Sequence, residues 1–116
     1  MQVPDPELKK IFGKWEWVSS TGGFAGKTIT PATEGYTLQI EFNSNGAYKE
    51  YKSGTLTAQR TFLFSQESSI QNHKQAWIIS SGAGSLKQAV SFSGQDTLML
   101  SEQVHDSFQH LYSRIK

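Results

Sequence analysis

Apolar residues recur along most of this chain at every second position, the spacing of strands that turn one face to a core. In KWEWVSS, Trp15, Trp17 and Ser19 share one face while Lys14, Glu16 and Val18 share the other. YTLQIEF repeats the pattern with Leu38, Ile40 and Phe42, and TLTAQRTFLF with Leu56, Ala58, Arg60, Phe62 and Phe64. AYKEYK, AWIIS, LKQAVSF and DTLML continue it, and FQHLYSRI places Phe108, His110, Tyr112 and Arg114 together. Only the start departs from this period. In PDPELKKIFG, Asp5 can cap a helix, Pro6 suits its first position, and Leu8, Ile11 and Phe12 fall at i, i+3 and i+4 before Gly13 ends it.

The joints between strands are mostly tight. Asn45-Gly46 is a two-residue hairpin signal, and Ser53-Gly54, the run from Ser81 to Ser85 and Ser93-Gly94 read as further turns. A polar connection is expected from Ser65 to about Gln75. The longest loop runs from Thr21 to Gly35, rich in Gly, Thr and Pro, and marks a functional lid or a disordered stretch. About eight short strands joined in sequence order predict an all-β fold, an eight-stranded antiparallel up-and-down β-barrel with a short N-terminal helix. Residues 1–12 form the helical segment that closes the barrel, and 13–116 form the barrel. A seven-stranded sandwich would need several long crossovers, and one long loop is visible.

The 116 residues suffice for one domain and one core. Three Trp, seven Phe and four Tyr supply large apolar areas for that core or for a ligand cavity. The absence of cysteine excludes disulfides, a thiolate nucleophile and zinc-thiolate sites. A net charge of +1, with scattered lysines, creates no field for phosphate backbones, so nucleic acid is not an expected partner. No apolar run approaches the roughly 20 residues of a membrane-spanning helix, and the polar opening MQVPDPELKK carries no export signal.

Gly13-Lys14-Trp15 on the first strand, a long following loop, and Tyr112-Ser113-Arg114 on the last strand resemble the lipocalin and wider calycin pattern. GKWEWVSSTGG, EGYTLQIEF, NGAYKEYKSG and the terminal YSR are similar to small lipocalin-like domains of bacterial envelope proteins. The resemblance implies that Trp15 lies across the closed end of the barrel with the Arg114 guanidinium packed over its indole, tying first strand to last. It also implies a ligand in the interior and a location in the cell envelope, periplasm or medium. The chain departs from larger lipocalins in lacking their cysteine pair and their helix before the last segment, which implies a small cavity. Eight strands enclose either packed side chains or one small ligand.

Catalytic signatures are missing. No Gly-x-Ser-x-Gly elbow occurs, and the histidines lie far in sequence from any serine or carboxylate motif. His73, His105 and His110 lack a helical i, i+4 pair, so neither a metal nor another cofactor is expected, though His105 and Asp106 could approach a shared site. The Gly82-Ala83-Gly84 turn lacks the rest of a phosphate-binding fingerprint. Arg60 shares a face with Phe62 and Phe64, Gln88 with Val90 and Phe92, and His110 with Phe108 and Tyr112. Facing inward, these would make an apolar interior with a few polar groups, the composition of small-molecule sites. Alternatively, a bulge reverses the register and turns Arg60 to water.

The expected ligand contacts are Trp17, Phe24, Tyr48, Arg60, Phe62, Gln88 and His110, with Phe24 on the lid loop. The expected function is binding of a small hydrophobic or amphiphilic molecule, an acid-headed amphiphile being one fit. The alternatives are a protein-interaction or inhibitor module with a filled barrel, anchored by Phe24, and an enzyme drawing on Glu50 or Asp106 with a histidine. Oligomeric state is not readable from the residues.

Overall fold

The computed structural model describes residues 6–22, 26–68, 74–81, 87–103 and 108–115, with the Ser81 side chain excepted. A 3-10 helix, Pro6–Ile11, precedes β1 (Gly13–Gly22), β2 (Lys27–Ile29), the one-turn helix α1 (Pro31–Glu34), β3 (Leu38–Phe42) and β4 (Ala47–Lys52). β5 (Thr55–Ser68), β6 (Gln75–Ser81), β7 (Gln88–Ser93), β8 (Thr97–Glu102) and β9 (Phe108–Arg114) complete the described elements. The fold is all-β. Strands β1 and β3 to β9 lie side by side in that order, every pairing antiparallel, and β9 returns to β1 from Trp15↔Arg114 to Gly22↔Phe108. This closes the eight strands into a barrel, with β6 and β7 joined through Ile78↔Ala89 and Ile79↔Gln88. The ninth strand, β2, adds to the far end of β1 through Ser20↔Ile29 and Gly22↔Lys27.

The inward rows supply the core: Ile11, Trp15, Trp17, Ile40, Phe42, Phe62, Ile79, Leu98, Leu100 and Tyr112 form one buried cluster. Trp15 makes van der Waals contact on all sides, with no exposed surface. The 3-10 helix lies across one end, burying Leu8 and Ile11, and accepts the Trp15 indole N–H on the Ile11 carbonyl at 2.8 Å. Trp and Tyr enter cores when their polar atom finds such a partner.

Four sequence expectations change. First, the Thr21–Gly35 stretch holds β2 and α1 instead of forming one long loop. Thr30 and Thr33 cap each other's backbone N–H groups at 3.2 and 2.8 Å and Pro31 opens the turn, so local hydrogen bonds organise a segment whose composition reads as loop. Second, a bulge between Trp17 and Ser19 brings Ser20, not Ser19, onto the inward row and leaves Val18 exposed. Third, a bulge opposite Glu50–Tyr51 moves Leu56 to the outer face, where it is exposed, while Ala58, Arg60 and Phe62 keep one row. Fourth, β5 continues to Ser68 through the expected connection, because β6 pairs with it from Phe62↔Ser81 to Ser68↔Gln75.

The Asn45-Gly46 hairpin also differs in type. The Gly46 N–H donates to Asn43 O and Asn43 N–H to Ala47 O, so the turn centres on Ser44 and Asn45. Gly46 then takes a positive φ of 92°, the glycine position of a bulged hairpin.

Candidate functional site

The two ends of the barrel are built from different chemistry. At the capped end, Arg114 packs its guanidinium 4.2 Å from the Trp15 ring centre. It donates to the carbonyls of Gln95 (3.0 Å), Phe12 (3.1 Å) and Lys10, which joins β9, the 3-10 helix and the β7–β8 turn. Gly13 stands beside it with φ 121°, and a Cβ there would meet Arg114 Nη1 at 3.3 Å. A planar cation with five donors suits this task, because its three nitrogens reach three carbonyls while its face lies on the indole.

Beyond this cap the inward rows carry polar groups among their aromatics. The register aligns Phe42, Tyr48 and Arg60 across β3, β4 and β5, and Ile40, Glu50 and Ala58 one step further along. Phe42 contacts Tyr48 and Phe62 with ring centres 5.1 and 5.2 Å apart, and Phe62 meets Phe64 edge-on at 5.6 Å. The Tyr48 hydroxyl donates to Glu50 Oε1 at 2.6 Å. Burial, and then the Glu50 carboxylate, push Tyr48 far above the ordinary tyrosine range. Tyr112, opposite Trp17, is raised by burial and by the charges of Glu50 and Glu102. Two carboxylates therefore act on the interior beside Tyr112.

A second network joins β1, β8 and β9. The Trp17 indole N–H donates to Ser20 Oγ at 2.8 Å, Ser20 Oγ lies 2.5 Å from His110 Nδ1, and His110 Nε2 lies 3.0 Å from Glu102 Oε2. Glu102 Oε1 also accepts the Phe108 backbone N–H at 3.1 Å. With Nε2–H donating to Glu102, the neutral ring presents Nδ1 as an acceptor for the Ser20 hydroxyl. Serine, histidine and carboxylate are thus contiguous, an order also found in hydrolytic sites. Here Ser20 is 2% exposed and already accepts from Trp17. Its oxygen is packed against the core, whereas His110 and Glu102 keep about a fifth of their side chains accessible. The chain ties three strands and offers the imidazole–carboxylate pair to the interior.

Of the expected contacts, Trp17 and Phe62 are core residues, Tyr48, Gln88 and His110 are half-buried on inward rows, and Arg60 is on the inward row of Phe62 yet exposed. Gln88 and Tyr48 meet at a residual void of about 10 Å³ that Phe42 and Ile79 complete. Trp17 stacks on Tyr36 at 6.0 Å, so its ring is shared between core and the α1 side. Phe24, Asp5, His73, His105, Asp106 and the Gly82-Ala83-Gly84 turn lie outside the described residues. No cluster of three metal-ligating side chains occurs among the described residues.

Sequence reasoning overlooked Ser20 and Glu102. The Ser20 position depends on the β1 bulge, which no local pattern announces. Glu102 is legible only through pairing, since Gln88↔Glu102 and Leu100↔His110 set it on the inward row beside His110.

Compared with family models, curated proteins and solved structures, the chain matches none. The site must be judged on its own geometry.

Proposed function

We propose that the protein is a lipocalin-like up-and-down barrel that binds a small hydrophobic or amphiphilic molecule in its interior. The observation that carries this reading is Arg60. It sits on the inward row between Ala58 and Phe62 with no bulge separating them, and it is nevertheless exposed, so the barrel wall faces solvent there from the inside. Beneath it Tyr48 and Phe64 are half-buried aromatic surface. Apolar walls with few polar groups are the usual make-up of a small-molecule site.

Charge sets the orientation. Glu50 and Glu102 make the interior near Tyr112 unfavourable for an anion, while the Arg60 cation acts on Tyr48. An anionic head group belongs at Arg60, with its apolar chain directed toward Tyr48 and Phe64. The Gly13-x-Trp15 and Tyr112-Ser113-Arg114 resemblance supports the same reading, and with it a place in the cell envelope or outside the cell.

Titration of dodecanoate followed by tryptophan fluorescence tests the proposal. A saturable change that weakens by about tenfold or more in Arg60→Glu supports it. Absence of saturation, or binding indifferent to that reversal, removes it. One observation favours a second reading: the void at Phe42, Tyr48, Ile79 and Gln88 is at the lower limit for a single water molecule. A barrel that well filled would act through its outer surface, where Leu63 is 68% exposed, and native mass spectrometry would then find no small molecule retained.

A further inference from the structure

The turn between β3 and β4 is held by backbone bonds on both sides. Asn43 N–H donates to Ala47 O and Gly46 N–H to Asn43 O, each at 2.9 Å, and Gly46 O accepts the Phe62 N–H at 3.0 Å, which ties the turn to β5. The Asn45 side chain is exposed and takes no part in the core. Its Oδ1 accepts the Ala47 backbone N–H at 3.0 Å, folding the side chain back along the main chain.

The ring closed by this bond runs from Oδ1 through Cγ, Cβ and the Asn45 main chain to the Gly46 nitrogen, and on to the Ala47 N–H. Asn45 Cγ, an electrophilic amide carbon, and the Gly46 nitrogen, the nearest nucleophile along the chain, are therefore members of one compact ring. Joining them makes a five-membered succinimide. Confining both atoms of an intramolecular step removes freedom that the step would otherwise have to freeze. The Ala47 N–H is aimed at the oxygen on which negative charge develops, as an oxyanion donor is.

Gly46 suits the attack because it has no side chain to crowd its nitrogen, and nothing lies within 4 Å of the place a Cβ would occupy. Asn43 is followed by Ser44, which does carry one. The Gly46 N–H bond to Asn43 O opposes the reaction, since that proton must leave. It joins two neutral groups, whereas the Ala47 donor meets a developing oxyanion, and a hydrogen bond to an ionised partner is roughly twice as strong. The balance favours reaction in the folded turn.

We propose that Asn45 is a site of spontaneous deamidation, set up by the Ala47 N–H and the uncrowded Gly46 nitrogen. Hydroxide removes the Gly46 amide proton, the nitrogen bonds to Cγ, and the bond from Cγ to the side-chain nitrogen breaks, releasing ammonia with a proton from water. Water then opens the succinimide at either carbonyl and leaves aspartate or isoaspartate at position 45. Both products add one negative charge to the turn. Isoaspartate also adds one carbon to the main chain between the bonds that hold Asn43 and Phe62. The site stands whether or not the interior binds an amphiphile.

Peptide mapping of the folded full chain after incubation in mildly alkaline buffer tests this, with the same chain unfolded in guanidinium chloride beside it. Conversion is expected at Asn45 with isoaspartate among the products, at a rate no lower than in the unfolded chain, while Asn43 stays intact. Asn45→Gln, at an exposed position, is expected to abolish conversion there because its longer side chain does not close a five-membered ring. Folded-state conversion slower than in the unfolded chain by about fivefold or more would mean that the turn protects Asn45, and would overturn the proposal. Equal conversion of Asn43, or aspartate as the sole product, would overturn it as well.

Discussion

The capped end and the uncapped end of this barrel use the same device, a side chain bridging first and last strands, with opposite consequences for access. At the capped end Arg114 spans Trp15, the 3-10 helix and the β7–β8 turn, donating from each of its three nitrogens to a main-chain carbonyl over the indole face. At the other end His110 spans Ser20 and Glu102 but leaves part of its ring and of the carboxylate accessible. A bridge fixed to three main-chain carbonyls and laid on a fully buried indole makes a rigid plug. A bridge between side chains leaves groups able to exchange partners with a ligand or with water, and regions of low local stability are where such exchange takes place.

The comparison breaks most severely at Trp15. Trp15→Ala removes the largest buried ring and its hydrogen bond to Ile11, and urea denaturation is expected to show a loss of about 3 to 5 kcal/mol, much of the stability of a domain this size. Arg114→Lys keeps the charge but cannot serve three carbonyls and a ring in one plane, so a loss of about 2 kcal/mol is expected from the same measurement. Gly13→Ala forces a side chain into a positive φ against Arg114, and about 1 to 2 kcal/mol is expected. At the uncapped end, His110→Ala unpairs a partly hydrated network, and about 1 kcal/mol is the expected cost. A His110 effect as large as that of Trp15 would erase the distinction between plug and mouth.

The smallest effect at neutral pH is that of the buried tyrosines. Tyr48 and Tyr112 have raised pKa values in the folded chain, so above the ordinary tyrosine pKa of about 10 the unfolded chain loses protons that the folded one keeps. Their contribution is fully present below that pH and declines as pH rises above it. Phenolate absorbance should show these two residues ionising only as the barrel unfolds, and stability measured at stepped alkaline pH should fall. Ionisation of both in the folded barrel would mean that water reaches Glu50 and Tyr112 freely.

Strand positions were largely legible because period-two alternation survives wherever one face meets a core: Trp15 and Trp17, Leu38 to Phe42 and Leu98 with Leu100 all lie on the expected faces. Misplaced residues cluster at bulges. Ser20 replaces Ser19 and Leu56 turns outward because an extra residue shifts the count by one, and period two converts that shift into a change of face. The α1 turn was hidden for a different reason. Its reciprocal threonine caps lie among Gly, Thr and Pro, a composition that also suits an open loop.

The residues alone determined an all-β chain, the apolar faces of its strands, the helix-forming start and the lack of thiol chemistry, since each depends on local spacing or on composition. Barrel closure and the Ser20–His110–Glu102 contact were decided only by tertiary structure. The His110 contacts join groups 90 and 8 residues apart in sequence. Local preference ranks the conformations of a segment. Which neighbours a segment meets, and which it leaves uncovered, depends on how the whole barrel shares its limited apolar surface.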